Sequence, residues 1–408
     1  MTASTAVEFL IWLLIAASAI SVLAKRLRIP YTVALVLGGL LLSLFHWHYL
    51  SPLQPGLRPN WLTPDVILIL FLPALVFEGS VKLNVRDLLH DSVPLLLLAN
   101  FGVLIATLVT GYLVHWTIGL PLVIALLFGA IISATDPISV LAIFRDMRTD
   151  PRLSLIIEGE SLLNDGTAVV LFQVILAGLV AGQLSLVKSA GQYLLAVAGG
   201  AALGVLLGYA AFRITKRIDD PQVEITLTTL VAYGSYLIAY RLHWSGIIAT
   251  ASAGLIVGNL GGEGMSPRTR AALESFWEYL AFVMNSLVFL LIGLEVHIDA
   301  LAHSWRTGLL AVAVVLIGRA VSVYLLVPVS NFLAENIPLR WQHVVVWGGL
   351  RGALALALAL SLDNTVPYRD TVLDLTFAVV VFSILVQGLS IKPLLRILGL
   401  GNDQIAGA

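Results

Sequence analysis

The chain has 408 residues, of which 59% are hydrophobic and 12% charged, and its formal net charge is -1. A soluble domain carries about 25% charge, so with a mean hydropathy of +0.96 the lipid bilayer is the natural solvent for this sequence. The balanced charge, with no long basic run, excludes a nucleic-acid-binding surface, and the absence of cysteine excludes disulfides, thiolate metal sites and thiol nucleophiles.

Apolar runs bounded by Pro, Gly and charge predict membrane helices in chain order near residues 7–24, 31–46, 64–81, 92–115, 119–144, 152–181 and 188–213. Six more follow, near 222–241, 244–260, 273–297, 306–331, 341–361 and 370–396. A span needs about 20 apolar residues, so these thirteen runs make residues 1–408 one transmembrane transporter unit with no soluble domain. No Lys or Arg precedes the first run; it lacks the basic lead of a secretory signal and is expected to be retained. Sixteen Lys and Arg follow odd-numbered runs and five follow even-numbered ones, and Arg319 and Arg351, inside runs, complete the 23. Basic flanks stay in the cytoplasm, which predicts an external amino terminus and a cytoplasmic carboxyl terminus.

An ionisable side chain at the centre of a membrane helix costs at least about 2.5 to 3.5 kcal/mol, so each one needs a partner or a task. By position these are Glu78, Asp136, Glu158, Glu160, Asp165, Arg319 and Arg351, with Glu295 near a helix end. Asp136 lies in Ser133-Ala134-Thr135-Asp136-Pro137, where the proline removes a backbone donor and obstructs a continuous helix. Irregular backbone at that depth survives only when buried in protein or lining a wet cavity, so the freed carbonyls, Thr135 and Asp136 could face a cation. The plainer alternative is a structural proline kink with a capping aspartate.

The sixth run holds Glu158-Gly159-Glu160-Ser161-Leu162-Leu163-Asn164-Asp165-Gly166-Thr167, the densest polar cluster in the chain. Ser161 and Asp165, four apart, share a helix face, and Glu160 and Asn164 share the adjacent one. Such oxygen ligands suit hard alkali cations; Glu158 reads as a marker of the cytoplasmic start of the helix. The twelfth run carries Gly348-Gly349-Leu350-Arg351-Gly352, three glycines around a buried arginine, and a second interruption is expected there. The fifth and twelfth runs are an odd number apart and so cross in opposite directions. Two broken helices in antiparallel halves point to an inverted-repeat secondary transporter with its ion site at the midplane.

With these residues on view, the sequence resembles the NhaP-type sodium/proton antiporters, relatives of the animal sodium/proton exchangers. The likeness runs through Phe71-Leu72-Pro73 with Glu78, Ala134-Thr135-Asp136-Pro137, Gly159 to Asp165, Ser245-Gly246-Ile247-Ile248-Ala249, Gly349-Leu350-Arg351-Gly352 and Val386-Gln387-Gly388. It implies thirteen helices, a homodimer in membrane lipid, and a mobile six-helix core in which the fifth and twelfth helices unwind and cross. It implies that Asp165 takes cation and proton in turn, with Thr135, Asp136, Ser161 and, through water or at the funnel, Glu78 near the sodium ion. Glu160 and Arg319 match a buried ion pair that steadies the core, and Arg351 matches the arginine beside the second break. Asn164 stands where the electrogenic branch has a second aspartate and resembles the electroneutral type.

The resemblance implies a transporter of the plasma membrane rather than an enzyme, without cofactor or nucleotide. The chain ends twelve residues after Arg396, so the long regulatory tail of animal exchangers is not expected. A transporter on the same scaffold that moves potassium or lithium by preference is the alternative. An intramembrane hydrolase is disfavoured because no His-Glu-x-x-His pair occurs, which such metal chemistry would need. Trp116, Tyr240, Trp244 and Trp341 read as interfacial anchors.

Overall fold

The computed structural model describes residues 3–27, 29–44, 68–182, 186–261, 265–295 and 305–401, and among them there is helix and no strand. In chain order the helices are α1 (Ala3–Leu27), α2 (Tyr31–Leu44), α3 (Leu72–Lys82), the short α4 (Val85–His90), α5 (Ser92–Ile118), α6 (Leu122–Ile131), α7 (Ile138–Met147) and α8 (Pro151–Ala181). There follow α9 (Leu186–Thr215), α10 (Pro221–Arg241), α11 (Gly246–Leu260), α12 (Pro267–Glu295), α13 (Trp305–Leu333), α14 (Leu339–Gly348), α15 (Ala353–Leu360) and α16 (Arg369–Ile397).

Every predicted run contains helix, and both expected interruptions are present: α6 and α7 are the two pieces of the fifth run, and α14 and α15, bent by 41° at their break, those of the twelfth. Eight of the described helices are long and apolar enough to cross a membrane, and the bent pair makes nine. Length and composition therefore support nine crossings where the apolar runs predict thirteen. The difference lies in pieces such as α6 and α11, of 10 and 15 residues, which fall short of the roughly 20 residues that a straight span needs. The predicted helix ends at 45–46, 64–67 and 296–297, and the Glu295 side chain, lie outside the described residues.

Local chemistry sets the helix ends. Asp150 accepts from Arg152 N ahead of Pro151, and Asp220 accepts from Gln222 N and Val223 N ahead of Pro221, an N-cap followed by proline at the first helical position. Gly119 and Gly182 close α5 and α8 with φ of 83° and 65°, the left-handed conformation that glycine adopts without steric cost.

In lipid, helices associate by close packing rather than by escape from water. The contact of α2 with α12 depends on Gly39 and Gly293, where a Cβ on either would come within 2.9 Å of the other's Cα. α8 runs beside α6, α14 and α15, which brings the polar cluster of the sixth run to both interruptions. α5 and α16 each contain one π-helical turn, Leu97–Gly102 and Ser383–Gln387, a local widening that often accompanies functional positions.

Candidate functional site

Between α6 and α7 the chain is non-helical from Ile132 to Pro137, and the peptide groups released there are taken up by side chains and by the second interruption. Asp136 N donates to Leu350 O at 2.7 Å, joining the two breaks directly. Arg351 Nη1 donates to Ser133 O at 2.7 Å and Ala134 O at 3.1 Å. Ser161 Oγ donates to Thr135 O, and Thr135 N donates to Asn164 Oδ1 at 3.3 Å. The Asp136 carboxylate accepts from Ile138 N, the first residue of α7, at 3.0 Å. The carbonyls of Ser133, Ala134 and Thr135 thus already hold a donor, which helps irregular backbone to be tolerated at this depth.

Glycine at 352 is required by this geometry. A Cβ there would overlap the Asp136 carboxylate, and one at Gly349 would lie 2.8 Å from Arg319 Nε. Arg351 is further fixed from its main chain: its N donates to Ser383 Oγ at 2.8 Å, and that hydroxyl donates to Gln387 Oε1 at 2.7 Å. The π-helical turn of α16 therefore braces the second break.

On α8 the two predicted faces have different fates. Glu160 meets the Arg319 guanidinium in a bidentate pair, 2.5 Å from Nη1 to Oε1 and 2.7 Å from Nη2 to Oε2. Asn164 Nδ2 donates to Glu160 Oε1 at 3.2 Å and to Thr135 Oγ1 at 2.7 Å, so one amide ties the ion pair to the first break. Asp165 and Ser161 face the other way, into a cavity of about 660 Å³ that Thr135, Asp136, Glu158 and Glu78 also line. Asp165 Oδ1 is buried and has no hydrogen-bond partner among the described residues.

The structure thus brings Asp165, Asp136, Thr135, Ser161 and Glu78 to one cavity and places Glu160, Asn164, Arg319 and Arg351 behind it. Glu78 is not free: Lys82 Nζ lies 2.6 Å from its Oε1 and 2.8 Å from Glu278 Oε1 on α12, a clamp that the spacing of four between Glu78 and Lys82 could have disclosed. Sequence reasoning also missed the cavity residues Tyr31 and Asn285, which carry no charge to mark them. Among the described residues no three His, Cys, Asp or Glu side chains form a metal-holding cluster; the cavity wall carries the carboxylates of Asp165 and Asp136 and the hydroxyls of Thr135 and Ser161, oxygen ligands of the kind that hard cations prefer.

A family model described as sodium/hydrogen exchanger, transmembrane, matches residues 13–397. The chain belongs to this family. It is therefore a multi-pass membrane protein of a transporter family, of the NhaP type by its relatives. It is 43% identical over 345 residues to the Na(+)/H(+) antiporter NhaP of Pseudomonas aeruginosa, covering 81% of each chain. Over 393 residues it is 39% identical to the Na(+)/H(+) antiporter NhaG of Bacillus atrophaeus, covering 95% of this chain and 74% of that one. The solved structure of the sodium proton antiporter MjNhaP1 of Methanocaldococcus jannaschii superposes with a TM-score of 0.77 over 98% of this chain and 100% of that one. At 22% identity that likeness establishes a shared fold.

Proposed function

We propose that this protein is a secondary active antiporter that exchanges sodium for protons, with the two ions competing for Asp165. The observation that carries the reading is the buried Asp165 oxygen without a partner, in a cavity shared with Asp136, Thr135 and Ser161. A bare carboxylate in such surroundings is costly, and either a proton or an alkali cation relieves the cost. The cavity-lining oxygens of Thr135, Asp136 and Ser161 would help hold the cation, and Glu78 would assist through water or at the funnel.

Obligatory exchange then follows from one rule. The core resists crossing the membrane with Asp165 empty and charged, and crosses once either ligand neutralises it. A proton gradient supplies roughly 1.4 kcal/mol per pH unit, so no nucleotide or cofactor is needed. In this reading the protein is a homodimer of the plasma membrane, with its amino terminus outside, its carboxyl terminus in the cytoplasm, and a mobile six-helix core built on the two interrupted helices. Asn164 spends its amide on Glu160 and Thr135, so a single carboxylate changes occupancy and exchange is electroneutral, one sodium for one proton.

The test is reconstitution into liposomes carrying a pH gradient. Sodium is expected to collapse the gradient, with lithium and potassium compared in parallel. Failure of every alkali cation to do so would refute the proposal, and collapse by potassium alone would move it to potassium/proton exchange.

A further inference from the structure

The cavity is lined chiefly by α3, by the first interruption with α7, by α8 and by the start of α15, and an unbroken helix, α12, supplies another wall. Along it Glu278, Ala281, Phe282 and Asn285 line the cavity, a spacing of three, four and seven that marks one helical stripe. At a rise of about 1.5 Å per residue, Asn285 stands about 10 Å along the helix from Glu278, the residue that holds Lys82. The stripe therefore runs from a charged end, where the Glu278 side chain is 61% exposed, to a buried end, where Asn285 is 7% exposed. α12 also packs on α15, whose Leu354 and Ala355 line the cavity beyond Gly352.

Asn285 is anomalous in this setting. It sits in Val283-Met284-Asn285-Ser286-Leu287-Val288, and its side chain has no hydrogen-bond partner among the described residues. A nearly buried amide unpaired within a membrane protein is destabilising, so its partner has to come from the cavity. An amide oxygen is a hard, uncharged ligand that suits an alkali cation, and unlike a carboxylate it does not compete for the proton.

We propose that the Asn285 carboxamide oxygen is a further cation-contacting group, replacing a water on the ion as it passes between the Lys82 clamp and Asp165. This rests on the exchange reading above. Because the amide touches the cation and never holds the proton, it sets the affinity for the ion and the choice among alkali cations.

The experiment compares initial rates of cation-driven gradient collapse in liposomes for the wild-type protein, Asn285→Ala and Asn285→Asp. Asn285→Ala is expected to raise the KM for sodium about tenfold, the equivalent of one lost contact of about 1.4 kcal/mol, and to change the ratio of sodium to lithium KM values. Asn285→Asp, nearly isosteric, is expected to lower the sodium KM by adding charge. Wild-type KM values in both variants, or a fall in maximal rate with KM unmoved, would overturn the inference. Should Asn285→Ala not fold, Asn285→Asp decides alone, and an unchanged KM there is fatal. A wild-type protein inert to every alkali cation would instead refute the exchange reading and take this inference with it; an active wild type with unaltered variants refutes the inference only.

Discussion

Glu160 and Asp165 stand five positions apart on α8, and both are acidic residues in a segment that crosses the membrane. Glu160 has each oxygen on the Arg319 guanidinium and a further bond from Asn164. Asp165 has one buried oxygen with no partner and a cavity beside it. The first carboxylate is saturated, and any ligand arriving there would have to displace an arginine. The second has coordination to spare. What separates them is the neighbour each face meets: α13 delivers a cation to one, while hydroxyls and open space meet the other. A carboxylate whose oxygens are all bonded serves the architecture of a membrane helix, and one with an unfilled valence is where the proposed exchange would take place.

The contrast breaks most sharply at Asp165. Asp165→Asn keeps the shape and removes the exchangeable proton, so gradient collapse in liposomes should fall by at least about 100-fold, as expected when the one essential group is lost, with thermal unfolding near that of the wild type. Normal exchange by this variant would remove Asp165 from the mechanism. Glu160→Ala or Arg319→Ala should behave in the opposite way, losing about 3 to 5 kcal/mol of stability because each strands a buried charge. Replacing both with leucine should recover most of that loss, and a single variant that melts like the wild type would mean the pair contributes no stability.

Two smaller effects sharpen the picture. Gly352→Ala should slow exchange about 10- to 100-fold, a range typical of a displaced reacting group, because the added methyl overlaps the Asp136 carboxylate; rates equal to wild type would show that Asp136 can move without consequence. The smallest expected effect is none at all. With Asp165 as the sole titrating carboxylate of the cycle, exchange rates should not respond to an imposed membrane potential. Clear acceleration, or a steady sodium-driven current, would reveal a second proton and make Asp136 its first suspect.

Much of this site was legible because it violates the rules of its surroundings. Pro137 announces the break between α6 and α7, the glycines from 348 to 352 announce the other, and each charge within an apolar run demands an explanation. The partners of those charges were less visible. Arg351 binds the carbonyls of Ser133 and Ala134, and main-chain oxygens have no signature in sequence. Asn285 went unnoticed because a single amide barely alters the hydropathy of its run, and only the rotation of α12 decides whether it meets lipid, protein or cavity. The apolar runs located each helix but not its length: α6 and α11 have only 10 and 15 residues, because hydropathy does not mark where a helix inside an apolar run begins and ends.

The bond from Asp136 N to Leu350 O joins the two interruptions through main-chain atoms, the carbonyl common to every amino acid and the N–H to every one but proline. Alanine scanning is blind to it, for no side-chain replacement at 350 removes the acceptor and only proline at 136 removes the donor. The joint is thereby sheltered from genetic drift: the sequence on either side can vary while the connection persists. A survey by substitution would report on the side chains at 136 and 350 but not on the main-chain bond between them, and exchange of that one amide for an ester by chemical synthesis is the perturbation that would test it.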